Sequence, residues 1–215
     1  MRTDEFLSVG RCEIDPTAQI CRGAIVGKPF RPLIGGSPLS VCSNVTTIGA
    51  NAYIGYYAVV GSGSVLSEGV ILDDYCIVES NVTIGSNTLI TYRAQICNDA
   101  RIGKGCVIGG FVAERVVVGD HVRIFGKIVH THHDPSRDWD ADESMEPSAT
   151  IERGAFVGFD ALVIGDVTIG ERAFVCAGAI VTKSVPSRHI AYGVNQIVPF
   201  CEWKGSLSKS PFFTR

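Results

Sequence analysis

The sequence predicts an all-β protein built as a three-sided parallel β-helix, in which short strands joined by tight turns coil into a column. Stepping by six from Ile48 to Ile108 meets an aliphatic residue every time. The residue four positions after each of these, from Ala52 to Val112, is small or medium-sized and uncharged. Only 8% of the chain is aromatic and it has 24 glycines, which favours many thin layers over one bulky core.

The period of six explains why strands are expected and helices are not. A helix of 3.6 residues per turn would scatter these aliphatic residues around its circumference, leaving no apolar stripe. In short strands, each repeating aliphatic residue, called the lead residue below, points inward. The residue four later fills a corner, and glycine follows the lead where bulk or φ is limiting. Three hexads would close one coil, so the chain's roughly 22 hexads predict about seven coils.

The repeat also predicts where the column starts and where it is interrupted. Leads at Ile14, Ile20 and Val26 begin the column, and residues 28–44, rich in proline and glycine, leave it. We expect that segment to be a surface loop, a lid or a subunit contact. After the central block, we place a four-residue slip at 113–116, a local bulge whose charged pair, Glu114 and Arg115, could contact substrate.

The final block of hexads follows a long interruption. Its leads run from Ile151 to Val181. We therefore expect a β-helix domain over residues 1–186, with an external loop at 130–149, and a C-terminal tail over 187–215. The tail is aromatic and should pack on the column or on a neighbouring subunit.

The loop at 130–149 is the strongest candidate for a functional site. It begins His130-Thr-His132-His133-Asp134 and contains Trp139, one of two tryptophans. A 20-residue aperiodic loop in a solenoid is uncommon without a function. Three interpretations remain open: an imidazole acting as general base, a zinc site of His130, His132 and His121, or a polar surface loop.

Composition excludes several other classes. The net charge is −3 with mixed signs, so we expect no nucleic-acid partner. No apolar run approaches the ~18 residues of a membrane span, and the first residues do not resemble a secretory signal. Eight scattered cysteines then predict free thiols. We expect a cytoplasmic protein.

The hexad resembles that of the hexapeptide-repeat acyltransferase superfamily, whose fold is a left-handed parallel β-helix. The pattern is most similar to the sugar and galactoside O-acetyltransferases, which carry a histidine-led loop after the middle coils. The segment His130–Arg137 resembles that loop. The resemblance implies that the catalytic base is His130, His132 or His133, ranked in that order, with Asp134 as the carboxylate that orients it.

A second segment strengthens the resemblance. Residues 176–186, CAGAIVTKSVP, are similar to the family's G-A-G-S-x-V-T-K-D-x-P motif. The match implies that Ala177 and Gly178 line the pantetheine arm of coenzyme A, and that Thr182 and Lys183 meet its nucleotide end. Phe159 matches a position in the cofactor wall.

Together these matches imply a coenzyme A-dependent acyltransferase. We expect acetyl transfer from acetyl-CoA to a hydroxyl or amine of a sugar or sugar nucleotide, without a metal ion. The family resemblance implies a homotrimer with sites between subunits. A zinc enzyme similar to γ-carbonic anhydrase and a non-catalytic β-helix scaffold are the alternatives.

Overall fold

The structure is a computed structural model that describes residues 6–29, 44–130, 147–205 and 212. Within these residues the chain forms 27 strands and one 3-10 turn, Phe200–Glu202. The strands form three sheets, and successive strands of the column visit the sheets in turn. In each sheet, neighbouring strands pair in parallel in successive coils, apart from an antiparallel pair at the C-terminal end.

Sheet A contains nine strands, with the bounds β1 (Leu7–Ser8), β4 (Ile25–Lys28), β7 (Val59–Gly61), β10 (Ile77–Val78), β13 (Gln95–Ile96), β16 (Phe111–Val112), β19 (Lys127–Val129), β22 (Leu162–Ile164) and β25 (Ile180–Val181). Sheet B contains eight, β2 (Cys12–Ile14), β5 (Thr46–Ile48), β8 (Val65–Leu66), β11 (Thr83–Ile84), β14 (Arg101–Ile102), β17 (Val117–Val118), β20 (Thr150–Ile151) and β23 (Thr168–Ile169). Sheet C contains ten, β3 (Gln19–Ile20), β6 (Tyr53–Ile54), β9 (Ile71–Leu72), β12 (Leu89–Ile90), β15 (Val107–Ile108), β18 (Arg123–Ile124), β21 (Phe156–Val157), β24 (Phe174–Val175), β26 (His189–Tyr192) and β27 (Gln196–Pro199).

The predicted all-β, left-handed parallel β-helix is confirmed. Nine strands in sheet A give the column more coils than the hexad count, because β1, β16 and β19 also pair in this sheet and were not counted as hexads. The lead residues form the core, and from Ile48 to Val181 none is more than 4% exposed. The residues four later, such as Ala58 and Cys76, are buried at the corners, as expected.

Most of the six-residue turns share one backbone shape. The third residue after the lead adopts a positive φ, for example Asn81 at 59° and Gly178 at 68°. Glycine after a lead is required where coils touch: a Cβ on Gly49 would lie 2.7 Å from the backbone carbon of Ser67. These repeated turns define three corners. The A–B corner follows the strands of sheet A, the B–C corner follows sheet B and the C–A corner follows sheet C.

The slip that we placed at 113–116 lies elsewhere, and that prediction was wrong. Phe111 and Val112 pair with Gln95 and Ile96, so Val112 is itself a lead residue and 113–116 is an ordinary turn. The shortened turn is Gly109-Gly110, between β15 and β16. Glycine is needed there because a Cβ on Gly110 would collide with the carbonyl oxygen of Gly126 in the next coil. Phe125-Gly126 forms a second shortened turn at the same corner.

The C-terminal residues continue the column before they fold back on it. β26 pairs in parallel with β24, and β27 then pairs antiparallel with β26. The ring of Phe212 contacts Phe174, with centroids 5.4 Å apart, so part of the aromatic tail packs on sheet C. The domain boundary at residue 186 stays a prediction. Within the described ranges, no helix is long and apolar enough to cross a membrane.

Candidate functional site at the A–B corner

His130 is held at the A–B corner, immediately after β19. The register of β16 with β19 places Glu114 and His130 in neighbouring coils at the same position after a lead residue. Nε2 of His130 lies 3.3 Å from Oε2 of Glu114, and the two side chains are only 11% and 18% exposed. Although this distance allows charge attraction, Nε2 is buried without a hydrogen bond of acceptable geometry. The corner therefore presents an imidazole beside a carboxylate.

Two further polar side chains of sheet A extend this site toward the N-terminus. Glu79 and Cys97 follow β10 and β13 and are 8% and 3% exposed. One carboxylate oxygen of Glu79, the sulfur of Cys97 and one carboxylate oxygen of Glu114 all lie within 4.8 Å of one another. Gln95 Nε2 donates a hydrogen bond to Glu79 Oε1 at 2.9 Å, and the Asn98 N–H donates one to Glu79 Oε2 at 3.2 Å. We call Glu79, Cys97, Glu114 and His130 the corner cluster.

Three of the predicted catalytic residues, His132, His133 and Asp134, lie outside the described residues. Their roles stay predictions. For His130, the carboxylate beside the imidazole is that of Glu114. In the sequence, Glu114 stood out only as half of a charged pair near the loop. Its 16-residue separation from His130 is close to one coil of the column, and this was the signal that could have joined them.

The predicted cofactor residues lie along two corners. Phe159, Ala177 and Gly178 are at the C–A corner, where the Gly178 N–H donates to the Phe159 carbonyl at 2.9 Å. Phe159 is 65% exposed and stacks on Phe125, with ring centroids 4.6 Å apart. No atom lies within 4 Å of where a Cβ on Gly178 would be, so a chain-like ligand has room beside it.

Thr182 and Lys183 lie at the A–B corner, after β25, and both are exposed. Asn195 holds Thr182 from two sides: the Thr182 N–H donates to Asn195 Oδ1, and Asn195 Nδ2 donates to Thr182 Oγ1, both at 2.8 Å. β25 is two strands from β19 in sheet A, so Lys183 is about 10 Å along the column from His130. The Asn195 contacts were not predicted from sequence.

One chain does not bring His130 together with Phe159, Ala177 and Gly178, because sheet A lies between their corners. The outward side of that sheet is largely apolar, since the residues before the leads point away from the core. The apolar ones, called the sheet A face below, are Val59, Ile77, Phe111, Leu162 and Ile180, and the positions between them also include the polar residues Gln95 and Lys127. The corresponding positions of sheet B are mixed, with the polar residues Thr83, Arg101 and Thr168 and the exposed valines Val65 and Val117.

Two observations bear on zinc and cysteine chemistry. His121 is at the B–C corner, with φ 59°, and His130 is at the A–B corner, so these two do not share a site within one chain. Burial raises the pKa of the Cys76 thiol to about 12 and also raises the pKa of Cys106. Both thiols therefore stay protonated near neutral pH, when they are poor nucleophiles.

Comparison with known proteins finds acetyltransferases among the proteins that are similar to part of this chain. No model of a known protein family matches the chain. Serine acetyltransferase 4 of Arabidopsis thaliana is 33% identical over 98 residues, which are 44% of this chain. The bifunctional protein GlmU of Geobacillus thermodenitrificans is 54% identical over 43 residues, which are 20% of it. Over these segments the comparisons are consistent with the predicted resemblance to the hexapeptide-repeat acyltransferases.

The chain spans only 26% of that serine acetyltransferase and 9% of that GlmU. Two solved structures are also similar. LpxA of Acinetobacter baumannii has a TM-score of 0.42 at 16% identity, covering 89% of this chain and 72% of that one. The UDP-N-acetylglucosamine acyltransferase of Francisella novicida has a TM-score of 0.40 at 16% identity, covering 90% and 69%.

Proposed function

We propose that this chain is a coenzyme A-dependent acetyltransferase that acetylates a hydroxyl or amine of a sugar or sugar nucleotide. The observation that carries the proposal is the His130–Glu114 pair, 3.3 Å apart at the root of the 130–149 loop. A relative that is 33% identical over 44% of this chain is a serine acetyltransferase, which supports acetyl transfer as the reaction class.

His130 is the general base in this proposal. With the Nε2–H tautomer facing Glu114, Nδ1 accepts the acceptor's proton as that group attacks the thioester carbonyl carbon. The Glu114 carboxylate then stabilises the imidazolium that forms, as a carboxylate beside an imidazole does in other acyl-transfer sites. No acyl-enzyme forms, in agreement with the raised thiol pKa of Cys76 and Cys106.

Acetyl-CoA is the proposed donor, bound along small side chains at the C–A corner. Open space at Gly178 and the exposed ring of Phe159 support a binding surface for the pantetheine arm. Lys183 is exposed and suited to neutralise a phosphate. Thr182, fixed by Asn195, lies beside it.

A homotrimer completes the site in this proposal. His130 and the C–A corner flank the sheet A face, so the cofactor surface of one subunit would serve the histidine of the next. The apolar character of the sheet A face supports its burial between subunits. The named relatives are much longer than this chain, so their assembly and acceptors are not carried over to it. The trimer and the sugar acceptor are proposals about this chain alone.

The test measures thiol release from acetyl-CoA with sugar and nucleotide-sugar acceptors. We expect His130→Asn to lower kcat by about 100-fold or more, the usual contribution of a general base. Glu114→Gln, at a positioning residue, should lower kcat by about 10- to 100-fold and change the acid limb of the pH–rate profile. His121→Asn, a histidine at another corner, is the control and should leave kcat unchanged.

The same experiment separates the two alternatives. An inert scaffold would release no thiol with any acceptor and would be indifferent to His130→Asn. A zinc enzyme would contain stoichiometric zinc and would lose activity to a chelator. Either result would overturn the acetyltransferase proposal.

A further inference from the structure

We infer that a ridge of tyrosines on the N-terminal half of the C–A corner is a docking surface for the A–B corner of a second copy of this chain. This ridge, called the tyrosine ridge below, consists of Tyr57, Tyr75, Tyr92 and Arg93, which lie in three successive coils. The inference rests on the proposed function, which includes side-by-side assembly, and specifies which residues of two copies meet and in what register.

The tyrosine ridge is exposed and already ordered within one chain. Tyr57, Tyr75 and Tyr92 are 51%, 47% and 51% exposed. The rings of Tyr57 and Tyr75 stack with centroids 5.4 Å apart, and the ring of Tyr92 meets that of Tyr75 edge-on at 5.9 Å. Gly23 makes room for the first ring, because a Cβ there would lie 2.5 Å from a ring carbon of Tyr57. Rings that are fixed before binding lose little conformational entropy when a partner covers them.

The ridge is continuous with the surface that the proposed trimer buries. Val59 and Ile77 of the sheet A face directly follow the turns that carry Tyr57 and Tyr75. The tyrosine rings therefore extend the apolar surface of sheet A around its edge. Tyrosine is enriched at protein interfaces, where its ring is covered and its hydroxyl finds a hydrogen-bond partner.

Symmetry determines which residues of the second copy lie opposite the ridge. A rotation about an axis parallel to the column leaves every coil at its own height, so the C–A corner of one subunit faces the A–B corner of the same coil in its neighbour. In the coils of the ridge, the turns of the A–B corner consist mostly of short side chains, among them Ser62, Gly63, Ser80, Asn81 and Asn98. These are shorter than tyrosine and mostly polar, so they suit the hydroxyl edge of a projecting ring.

Charge complementarity favours the in-register arrangement. Arg93 and Asp99 flank β13 at the two corners of one coil, and both are exposed. Arg93 lies over the Tyr92 ring, 5.1 Å from its centroid, and neither Arg93 nor Asp99 forms an ion pair with another described residue of its own chain. At equal heights, Arg93 of one copy faces Asp99 of the next. A shift of one coil toward the C-terminus would set Arg93 against Arg115, where like charges repel.

The contact is confined to the N-terminal coils. Further along the same two corners, Asp160 and Asp166 share one coil, and both are exposed and acidic. The shortened turn Gly109-Gly110 leaves no side chain on the C–A corner in the coil after the ridge. The two copies would therefore stay apart beside His130, which leaves room there for the substrates of the proposed reaction.

Light scattering of the whole chain over a range of concentrations, without substrate, measures association. We expect Arg93→Glu to raise the dissociation constant between copies by at least about tenfold. Combining it with Asp99→Arg should return the constant to within about threefold of the wild type. Tyr75→Ala should also raise it by at least about tenfold, because this change truncates an aromatic anchor.

Disulfide trapping tests the register directly. In a Cys201→Ser background, which removes an exposed thiol, Arg93→Cys with Asp99→Cys should give covalently linked copies under mild oxidation. Arg93→Cys with Lys104→Cys, which places the second thiol at the B–C corner, should give none.

Lys104→Glu is the matched control for the charge reversals. It reverses an exposed charge that lies 3.9 Å from Asp120, at the B–C corner, and should leave association unchanged. If Arg93→Glu and Tyr75→Ala assemble as the wild type does, or if the wild type is a monomer, the inference is wrong. It is also wrong if Tyr75→Ala changes only the KM for an acceptor sugar, because the ridge would then bind a ligand. Since association is measured without substrate, an absence of thiol release would count against the proposed reaction alone.

Discussion

At the residue scale, two kinds of position decide whether the column can coil. One is the positive-φ position of most turns, occupied by residues as different as Gly178, Asn81 and Tyr75. The other is the contact between turns of adjacent coils, where only a hydrogen fits, as at Gly49 and Gly110. Because the backbone of the next coil forms this contact, a change of rotamer cannot relieve the clash that an added side chain would make.

Gly110→Ala tests that contact. The added methyl would strike the Gly126 carbonyl oxygen in the next coil, so we expect a loss of about 1–3 kcal/mol, typical of overpacking. The lowered Tm is measured by circular dichroism. Gly178→Ala is the control, because its φ of 68° strains alanine but its surroundings are open, and it should cost only about 1 kcal/mol. Equal losses would contradict the contact.

The buried thiol of Cys76 predicts a loss of stability at alkaline pH. Burial raises its pKa from 9.0 to about 12, so the folded state keeps a proton that the unfolded state loses above pH 9. This stabilisation is complete below pH 9 and declines as pH rises toward 12, by up to about 1.4 kcal/mol per pH unit. Tm measured between pH 8 and 10.5 should fall less steeply in Cys76→Ala than in the wild type. Parallel slopes would contradict the assignment.

At the element scale, the C-terminal end shows how the column finishes. β26 adds a last parallel strand to sheet C and β27 covers it in the opposite direction. Phe156 and Phe174 stack with centroids 4.6 Å apart, and Phe212 packs edge-on against both. Arg172 Nη2 also donates to the Phe212 carbonyl at 3.2 Å. The tail therefore shields apolar surface of sheet C.

Phe212→Ala should lower the free energy of unfolding by about 1–2 kcal/mol, less than for a fully buried phenylalanine because the ring is only partly buried. Denaturation midpoints measure the loss. Phe159→Ala is the comparison: its ring also stacks on a phenylalanine but is 65% exposed, so the loss should be less than half as large. An unchanged midpoint in Phe212→Ala would mean that the tail does not stabilise the column.

At the scale of the whole molecule, the two halves of the proposed site lie at different corners. His130 follows strand β19 of sheet A, whereas Ala177 and Gly178 precede strand β25 of the same sheet. A single chain keeps them apart across the width of sheet A. In the proposed trimer, a second copy of the chain would therefore supply the cofactor surface for His130.

Mixing two inactive variants tests this arrangement. His130→Asn removes the base and Ala177→Trp blocks the proposed thioester channel, so each alone should be inactive. In randomly mixed trimers about one site in four combines an intact histidine with an intact channel, so about a quarter of the activity should return. Light scattering of each variant checks that trimers still form. No recovery from properly assembled mixtures would place the site within one chain.

The repeat made the fold predictable because each lead residue is aliphatic and is buried only if it points into the column. Ile48 to Ile108 were expected inside and are buried there. The shortened turn was misplaced because Val112, four residues after Ile108, was taken as a corner residue of the six-residue repeat. Strand pairing shows that Val112 is a lead residue. His130 was predicted from its position at a break in the repeat. The Glu114 partner was not, because sequence distance hides adjacency between coils.

The sequence by itself determined the coiled column and the place where it is interrupted, because periodicity in aliphatic residues dictates which side chains point inward. Only the tertiary structure decided which polar side chains meet. Successive members of the corner cluster, Glu79, Cys97, Glu114 and His130, are 16 to 18 residues apart along the chain. Stacking of successive coils at one corner nevertheless brings them together. Periodicity alone does not fix the register between coils. Backbone pairing and the two shortened glycine turns set that register.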